Sequence, residues 1–334
     1  MLMKYKYLIF TPTLILGTLI AISSSSWVSA WLGLEINLMS IAPILINKMT
    51  LQSTEASIKY FIAQAIASIT MIFFILYQTK STLFSLNQNH EMILTAVLLM
   101  KAGVAPLHFW FPQVMVCSSW PQCMLLLTWQ KLAPFVLLSF LTNKLVEVSI
   151  MISAVVGGLG ALNQTDLKLL LTYSSIAHSA WMLSIIYINE LVWILYFISY
   201  IFIILSTLYL FLKLQISNLT LFQLIKMPSN LKLMFLLNFF SLAGLPPLLG
   251  FIIKILILNT LMSVGFSLLL VLFMISASFI SFYYYLRVTH SILFLTSGAL
   301  QTLHFSSSPT SILSGYPILS LLGNLLLPWL IILV

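Results

Sequence analysis

The sequence predicts an all-α polytopic membrane protein with about eleven transmembrane helices. Hydrophobic residues make up 61% of the 334 residues, charged residues only 6%, and the mean hydropathy is +1.12. A soluble domain is instead about 45–50% apolar and about 25% charged. Transmembrane β-strands would alternate apolar and polar residues, and runs such as 261–275 do not alternate. A soluble globular fold is therefore excluded.

Polar residues divide the chain into segments of the length that a membrane requires. A helix that crosses about 30 Å of hydrocarbon needs roughly 20 apolar residues. The first segment resembles a signal peptide, but its apolar run continues to about Ile22 without a small-residue cleavage site, which indicates a retained span. The predicted spans are 6–25, 28–47, 58–79, 91–111, 122–142, 146–163, 168–189, 191–212, 233–257, 262–286 and 310–333.

The basic residues predict the orientation of these spans. The formal net charge is +8, from 14 Lys and Arg against 6 Asp and Glu. The charges are scattered singly between apolar runs, so they form no patch for nucleic acid. Alternate threading places nine on one side and only Lys80 and Lys144 on the other, which predicts the N-terminus on the negative side and the C-terminus opposite. The nine are Lys4, Lys6, Lys48, Lys59, Lys168, Lys213, Lys226, Lys232 and Arg287.

Two spans contain helix-breaking residues. The fourth contains Pro106, and the ninth contains Pro246 and Pro247. Proline removes a backbone donor, so the freed carbonyls need other partners; an ordinary kink is the alternative for either span alone. Because each broken span is the fourth of five, the pattern predicts two inverted repeats. The predicted organisation is a first five-helix repeat at 1–145, a second, inverted repeat at 146–290 and an additional C-terminal transmembrane helix at 308–334.

Four ionisable residues, Glu35, Lys101, Lys131 and Lys254, lie inside predicted spans. Each costs about 2.5–3.5 kcal/mol at a bilayer centre. The structural alternatives are an interfacial position for Glu35, snorkelling for Lys101 and a structural ion pair for Lys131. Burial disfavours the charged form and a neighbour of opposite charge favours it, so a row of such groups can pass protons. We expect the three ammonium groups to face the protein interior, along a hydrated path.

Two histidines are further candidates, since histidine titrates near physiological pH. His178 follows a Tyr-Ser-Ser sequence in the seventh span and is predicted to lie on the hydrated path. His108 lies in the break of the fourth span, where a bond to a freed backbone carbonyl is the structural alternative to proton transfer.

Other sequence features bear on the chemistry. Residues 157–160, Gly-Gly-Leu-Gly, lack the strand and spacing of a dinucleotide fingerprint and predict a small-residue surface for close helix packing. The sequence contains no ligand set for nicotinamide, flavin or an iron–sulfur cluster, no metal site and no catalytic residue. Glu35 is the only carboxylate predicted to be buried, which favours protons over sodium as the transported ion.

Four motifs resemble the antiporter-like membrane subunits of respiratory complex I. They are Leu32-Gly-Leu-Glu35, Pro106-Leu-His-Phe-Trp-Phe-Pro112, Lys168-Leu-Leu-Leu-Thr-Tyr-Ser-Ser-Ile-Ala-His178 and the stretch from Ser241 to Lys254. The resemblance implies that Glu35 and Lys101 form the ion pair of one half-channel, that Lys131 connects the two halves, and that Lys254 serves the second.

The resemblance also implies the setting. Bacterial members carry three further N-terminal helices, and the shorter form resembles that of animal mitochondria. The implied location is the mitochondrial inner membrane, with the N-terminus in the matrix and the C-terminus in the intermembrane space. NADH, FMN, iron–sulfur clusters and ubiquinone would then bind partner subunits, and the chain would work only with other membrane subunits of complex I and with lipids. An autonomous secondary cation/proton antiporter and a structural scaffold are the alternatives.

Overall fold

The computed structural model describes residues 2–46, 50–80, 87–141, 143–224, 229–293 and 323–324. Within them every regular element is a helix, and the only strand-like pairing is an isolated bridge between Asp166 and Asn218. The all-α prediction is therefore confirmed for the described part of the chain. The predicted C-terminal helix, 308–334, lies outside the described residues except for Gly323 and Asn324, which are helical.

The helices divide between two compact units, Met1–Ser153 and Ala154–Val334. The first contains α1 (Leu2–Ile22), α2 (Trp27–Leu45), α3 (Leu51–Lys80), α4 (Asn87–Ala102), α5 (Trp110–Cys117), α6 (Trp120–Leu127), α7 (Trp129–Leu138) and the beginning of α8 (Lys144–Ala161). The second contains the end of α8 and α9 (Leu167–Ile186), α10 (Glu190–Leu214), α11 (Leu219–Leu224), α12 (Ser229–Ala243), α13 (Leu249–Val264) and α14 (Leu268–Leu293).

Among the described residues, six helices are long and apolar enough to cross a membrane. They are α2, α3 (Leu51–Tyr77), α8, α9, α10 and α14. Three shorter apolar segments, Tyr7–Ile22, Asn230–Ala243 and Leu249–Val264, belong to α1, α12 and α13. The chain is therefore a multi-pass membrane protein.

Three predicted spans are divided in the structure. The fourth becomes α4 and α5, and the ninth becomes α12 and α13, as the predicted breaks require. The fifth, predicted to be continuous, is interrupted at Thr128 between α6 and α7. Pro134, six residues further on, has no backbone N–H. The Gln130 carbonyl in the first turn of α7 therefore lacks its usual helical donor.

The first break begins before its proline. Gly103 adopts a left-handed conformation with φ of 69°; its N–H donates to the Met100 carbonyl at 3.1 Å, and the Val104 N–H donates to the Leu99 carbonyl at 3.0 Å. This is the hydrogen-bond pattern with which a glycine ends a helix. Gly103 thus ends α4 three residues before Pro106, which lies in the non-helical connection to α5.

The second break has the same construction. Gly244 has φ of 85°; its N–H donates to the Ser241 carbonyl at 3.2 Å, and the Leu245 N–H donates to the Phe240 carbonyl at 3.0 Å. In both breaks the helix ends at an Ala-Gly pair, and a cis X-Pro bond follows, at Ala105-Pro106 and at Pro246-Pro247. The prolines lie in the connections to the next helices, and the glycines end the preceding ones.

The side chains are distributed as a lipid solvent requires. Many large apolar side chains are exposed on the helix surfaces, including Leu19, Phe73, Leu195 and Phe279. In contrast, the interior contains amides, hydroxyls and the three lysines of the predicted path. Hydrocarbon cannot solvate polar groups, so the polar side chains that could take part in chemistry lie inside the helix bundles.

Candidate functional site

In the first unit, Lys101 lies in the last turn of α4, two residues before Gly103, and its side chain is 5% exposed. Its backbone carbonyl accepts a 3.3 Å hydrogen bond from Nε2 of Gln64 on α3. The indole of Trp110, which begins α5, donates at 2.9 Å to the Met100 carbonyl. The α3 side chain thus provides a donor for the Lys101 carbonyl, and the α5 indole adds a second donor to the Met100 carbonyl, which also accepts from the Gly103 N–H.

Glu35 on α2 is the carboxyl neighbour of Lys101. The two side chains are near enough to influence each other electrostatically, but among the described residues they form no direct ion pair. Oε2 of Glu35 is buried without a hydrogen-bond partner in this part of the chain. The structure therefore brings the two predicted residues together within one unit, and their pairing in proton transfer stays a prediction.

Replacing Glu35 with Gln tests this electrostatic neighbour. We expect proton pumping to fall to about half or less, because the Lys101 ammonium loses the opposite charge that favours it. The matched control is Glu55→Gln, since Glu55 lies on the surface of α3 in an ion pair with Lys59. The measurement is protons translocated per electron by the assembled complex in vesicles. Equal stoichiometry in both variants would refute a role for Glu35.

Lys131 lies at the start of α7, immediately after the interruption at Thr128. Its side chain is 2% exposed, and Nζ is 5.6 Å from the centre of the Phe111 ring. The same ring packs against Gly103, where an added Cβ would come within 3.2 Å of it. Phe111 therefore lies between the end of α4 and the lysine of α7, and cation–π contact favours the ammonium there.

A buried amide pair fixes the position of α7 against α2. Asn37 and Gln130 exchange two hydrogen bonds of 2.9 and 3.1 Å, and the Tyr60 hydroxyl donates to Gln130 at 3.3 Å. Asn37 is two residues from Glu35, and Gln130 precedes Lys131. The sequence reasoning missed this pair, although two amides next to predicted charged residues in apolar spans were the available signal.

In the second unit, Lys254 is 8% exposed and lies in α13, the helix that follows the second break. Its Nζ donates at 3.1 Å to the carbonyl of Ala243, the last residue of α12. An amino group at a helix C-terminus meets both a free carbonyl and the negative end of the helix dipole. A Cβ on Gly244 would come within 3.0 Å of Nζ, so the glycine also leaves room for the lysine.

His178 is buried on α9 in an aromatic environment. Its Nδ1 is 2.7 Å from the Tyr196 hydroxyl, and its ring is 5.3 Å from that of Tyr200. His178 and Lys254 line the same cavity of about 10 Å³, which is at the lower limit for one water molecule. The structure therefore brings these two predicted residues to one small cavity.

His108 lies within the first break, as predicted. Its Nδ1 is 3.3 Å from the Pro106 carbonyl, and its ring stacks on Phe109 with centroids 4.7 Å apart. This is the contact that the structural interpretation predicts, in which a histidine satisfies a carbonyl near the break. A role in proton transfer stays a prediction for this residue.

All three lysines are buried, as the prediction that their ammonium groups face the protein interior requires; His178 is buried as well, and its place on a hydrated path stays a prediction. Within the described residues, no three His, Cys, Asp or Glu side chains cluster as metal ligands would. The chemistry that this arrangement offers is proton exchange between buried amines, water and imidazole, next to backbone carbonyls that helix breaks leave available.

A protein-family model described as "NADH:quinone oxidoreductase/Mrp antiporter, TM" matches residues 24–281. The match covers both breaks and all the buried charged residues described above. The chain belongs to this antiporter family. The resemblance inferred from the four sequence motifs is therefore confirmed, and the match extends over most of the chain.

Relatives and a solved structure agree with the family assignment. NADH-ubiquinone oxidoreductase chain 2 of Anopheles gambiae is 41% identical over 296 residues, which are 86% of either chain. The protein of the same name from Locusta migratoria is 37% identical over 328 residues, 95% of this chain and 94% of the relative. A chain of respiratory complex I from Thermus thermophilus matches with a TM-score of 0.81 and 26% identity, over 97% of this chain and 80% of that chain.

Proposed function

We propose that this chain is a core antiporter-like subunit of respiratory complex I, which carries protons across the inner mitochondrial membrane while other subunits transfer electrons from NADH to ubiquinone. The observation that carries the proposal is the position of the three buried lysines. Each is next to a helix discontinuity, and Lys254 donates directly to a carbonyl that a break leaves free. Placing an ammonium group inside a membrane costs free energy, so a functional role explains why three lysines are found at these positions.

The proposed path follows the residues in two sets. In the first unit, Glu35 and Lys101 form one half-channel, and Lys131 is the connecting lysine. In the second unit, Lys254 and His178 form the other half-channel, supported by the cavity that both residues line. His108 is included as a proton carrier at the first break. Water is proposed to link these groups, because amines and free carbonyls require polar partners in hydrocarbon.

The finer architecture is also proposed. It consists of about eleven transmembrane helices in two inverted five-helix repeats, 1–145 and 146–290, and a C-terminal helix at 308–334. The repeat is supported by the shared sequence and hydrogen-bond pattern of the two breaks, Ala102-Gly103 and Ala243-Gly244. The positive-inside distribution supports an N-terminus in the matrix and a C-terminus in the intermembrane space.

The redox groups are proposed to reside in partner subunits. The chain has only two cysteines, Cys117 and Cys123, whereas an iron–sulfur cluster takes four ligands, and it lacks a nucleotide-binding fingerprint. It would accordingly belong to an NADH:ubiquinone reductase without performing redox chemistry itself. Its partners are other membrane subunits of that complex and the surrounding lipids.

The decisive experiment replaces Lys254 with Met in the assembled complex. We expect the number of protons pumped per electron to fall, because Met keeps the length of the side chain but cannot carry a proton. Lys213→Met is the control, since Lys213 lies 5.6 Å from a tyrosine ring at the end of α10 but is exposed. Unchanged pumping by the Lys254 variant would favour a structural scaffold.

The autonomous antiporter is tested with the same vesicles in the absence of an electron donor. That alternative predicts sodium/proton exchange driven by an imposed sodium gradient, whereas the proposed function predicts none. The scarcity of buried carboxylates favours the second outcome, because a carboxylate supplies the negative charge that offsets a buried sodium ion.

A further inference from the structure

Lys254 lines two cavities of the second unit that differ in size and chemistry. The larger, about 320 Å³, is bordered by the second break and by apolar side chains such as Phe279. The smaller, about 10 Å³, is bordered by His178, Ser281 and Tyr284. The proposed function uses the smaller cavity and assigns nothing to the larger one.

Three residues line both cavities: Trp181, Lys254 and Ser278. The Ser278 hydroxyl donates at 2.7 Å to the Ile275 carbonyl of its own helix, so it is bound to the surface of α14. Lys254 extends to the end of α12. The indole of Trp181 is therefore the bulky group that both cavities share.

Trp181 also holds the lysine. Lys254 Nζ is 5.9 Å from the centre of the Trp181 ring, and its hydrogen bond to Ala243 lies at 3.1 Å. The ammonium is thus confined between an aromatic face and a helix end. Trp181 is three residues after His178 on α9, and residues at this spacing share one face of a helix. The indole, 4% exposed, is accordingly anchored in the same wall as the histidine.

We propose that Trp181 is a positioning residue that separates the two cavities, so that protons pass between them only on Lys254. In each transfer the Lys254 amine takes a proton from water in one cavity, and the ammonium returns it to water in the other. A bulky apolar ring excludes a continuous file of water, which would conduct protons without the lysine. This inference rests on the proposed function of Lys254 and adds the element that keeps the path from leaking.

The test is the passive proton permeability of vesicles that contain the assembled complex, measured with an imposed pH gradient and no electron donor. We expect Trp181→Ala to raise permeability several-fold, because loss of the indole joins the two cavities beside the Lys254 amine and the Ser278 hydroxyl, which are polar partners for water at that point. Trp181→Leu should leak less, and Trp181→Phe should approach the native value. If Trp181→Ala fails to assemble, the comparison of the Leu and Phe variants decides the question.

A matched control is Trp193→Ala. Trp193 is also buried, at 7% exposure, but it stacks on Phe197 of α10 and lines neither cavity. A leak in this variant equal to that of Trp181→Ala would overturn the proposal, as would native permeability in all three Trp181 variants.

A double variant identifies the route of the leak. Trp181→Ala with Lys254→Met should still leak, because water rather than the lysine then carries the proton; loss of the leak would overturn the barrier role. Lys254→Met alone should not leak. Since this assay needs no electron transfer, its outcome is independent of whether Lys254→Met stops pumping, and failure of the proposed function is recognised separately.

Discussion

Replacing Lys131 with Ala is expected to abolish proton pumping while leaving assembly largely intact. The Lys131 side chain is 2% exposed, and its ammonium lies 5.6 Å from the centre of the Phe111 ring. Alanine has no group that can take up a proton at this buried position. Alanine is the best helix former, and the amide pair formed by the neighbouring Gln130 remains to position α7. The loss should therefore concern the exchangeable proton rather than the fold.

The measurement for Lys131 is the ratio of protons to electrons, with assembly checked by native electrophoresis. Lys59→Ala is the control, because Lys59 is 38% exposed and pairs with Glu55 on the surface of α3. We expect this variant to pump normally, since an ion pair between solvent-exposed side chains contributes little to stability. Normal pumping by an assembled Lys131→Ala complex would contradict the connecting role.

Two adjacent glycines of α8 are expected to respond in opposite ways to alanine. A Cβ on Gly157 would overlap the backbone N of Ala177 on α9 and lie 2.7 Å from its Cα, whereas a Cβ on Gly158 would lie 3.5 Å from the Ile280 side chain, an ordinary contact. Gly157→Ala should prevent close packing of α8 on α9 and reduce assembly. Gly158→Ala should be tolerated.

The sign of each effect follows from two opposing contributions. Alanine gains about 1 kcal/mol of helix propensity over glycine at either position. At Gly157, overpacking costs typically about 1–3 kcal/mol or more, and backbone atoms cannot move aside by changing rotamer, so the clash prevails. At Gly158 the gain remains. The measurement is the melting temperature of the solubilised complex. Equal melting temperatures for the two variants would refute the close contact of Gly157 with α9.

These glycines illustrate what could be predicted from local sequence. The Gly157–Gly160 run predicts a small-residue packing surface, and the structure confirms it: a Cβ on Gly160 would overlap the Tyr173 ring. Composition and apolar segment length predict the all-α membrane fold, and the prolines predict two breaks. Each of these features depends on residues that are neighbours in the chain, because helix formation and helix termination are governed within a few residues.

Long-range contacts were decided only by the tertiary structure. The hydrogen bonds between Asn37 and Gln130, and between His178 and Tyr196, join different helices and depend on how those helices rotate about their axes. Hydropathy does not specify that rotation. The sequence placed Lys254 after its break, but the packing of α13 against α12 gave its ammonium the Ala243 carbonyl.

The sequence by itself thus determined that this is a helical membrane protein with four ionisable residues inside its spans and with two broken spans. The tertiary structure decided which partners those charges meet and added the interruption at Thr128, which separates α6 from α7 just before Lys131. The physical reason is that lipid selects for apolar composition along every span, so composition carries little information about neighbours. Partner choice instead follows from polar groups that must find one another when helices pack and hydrocarbon offers no alternative.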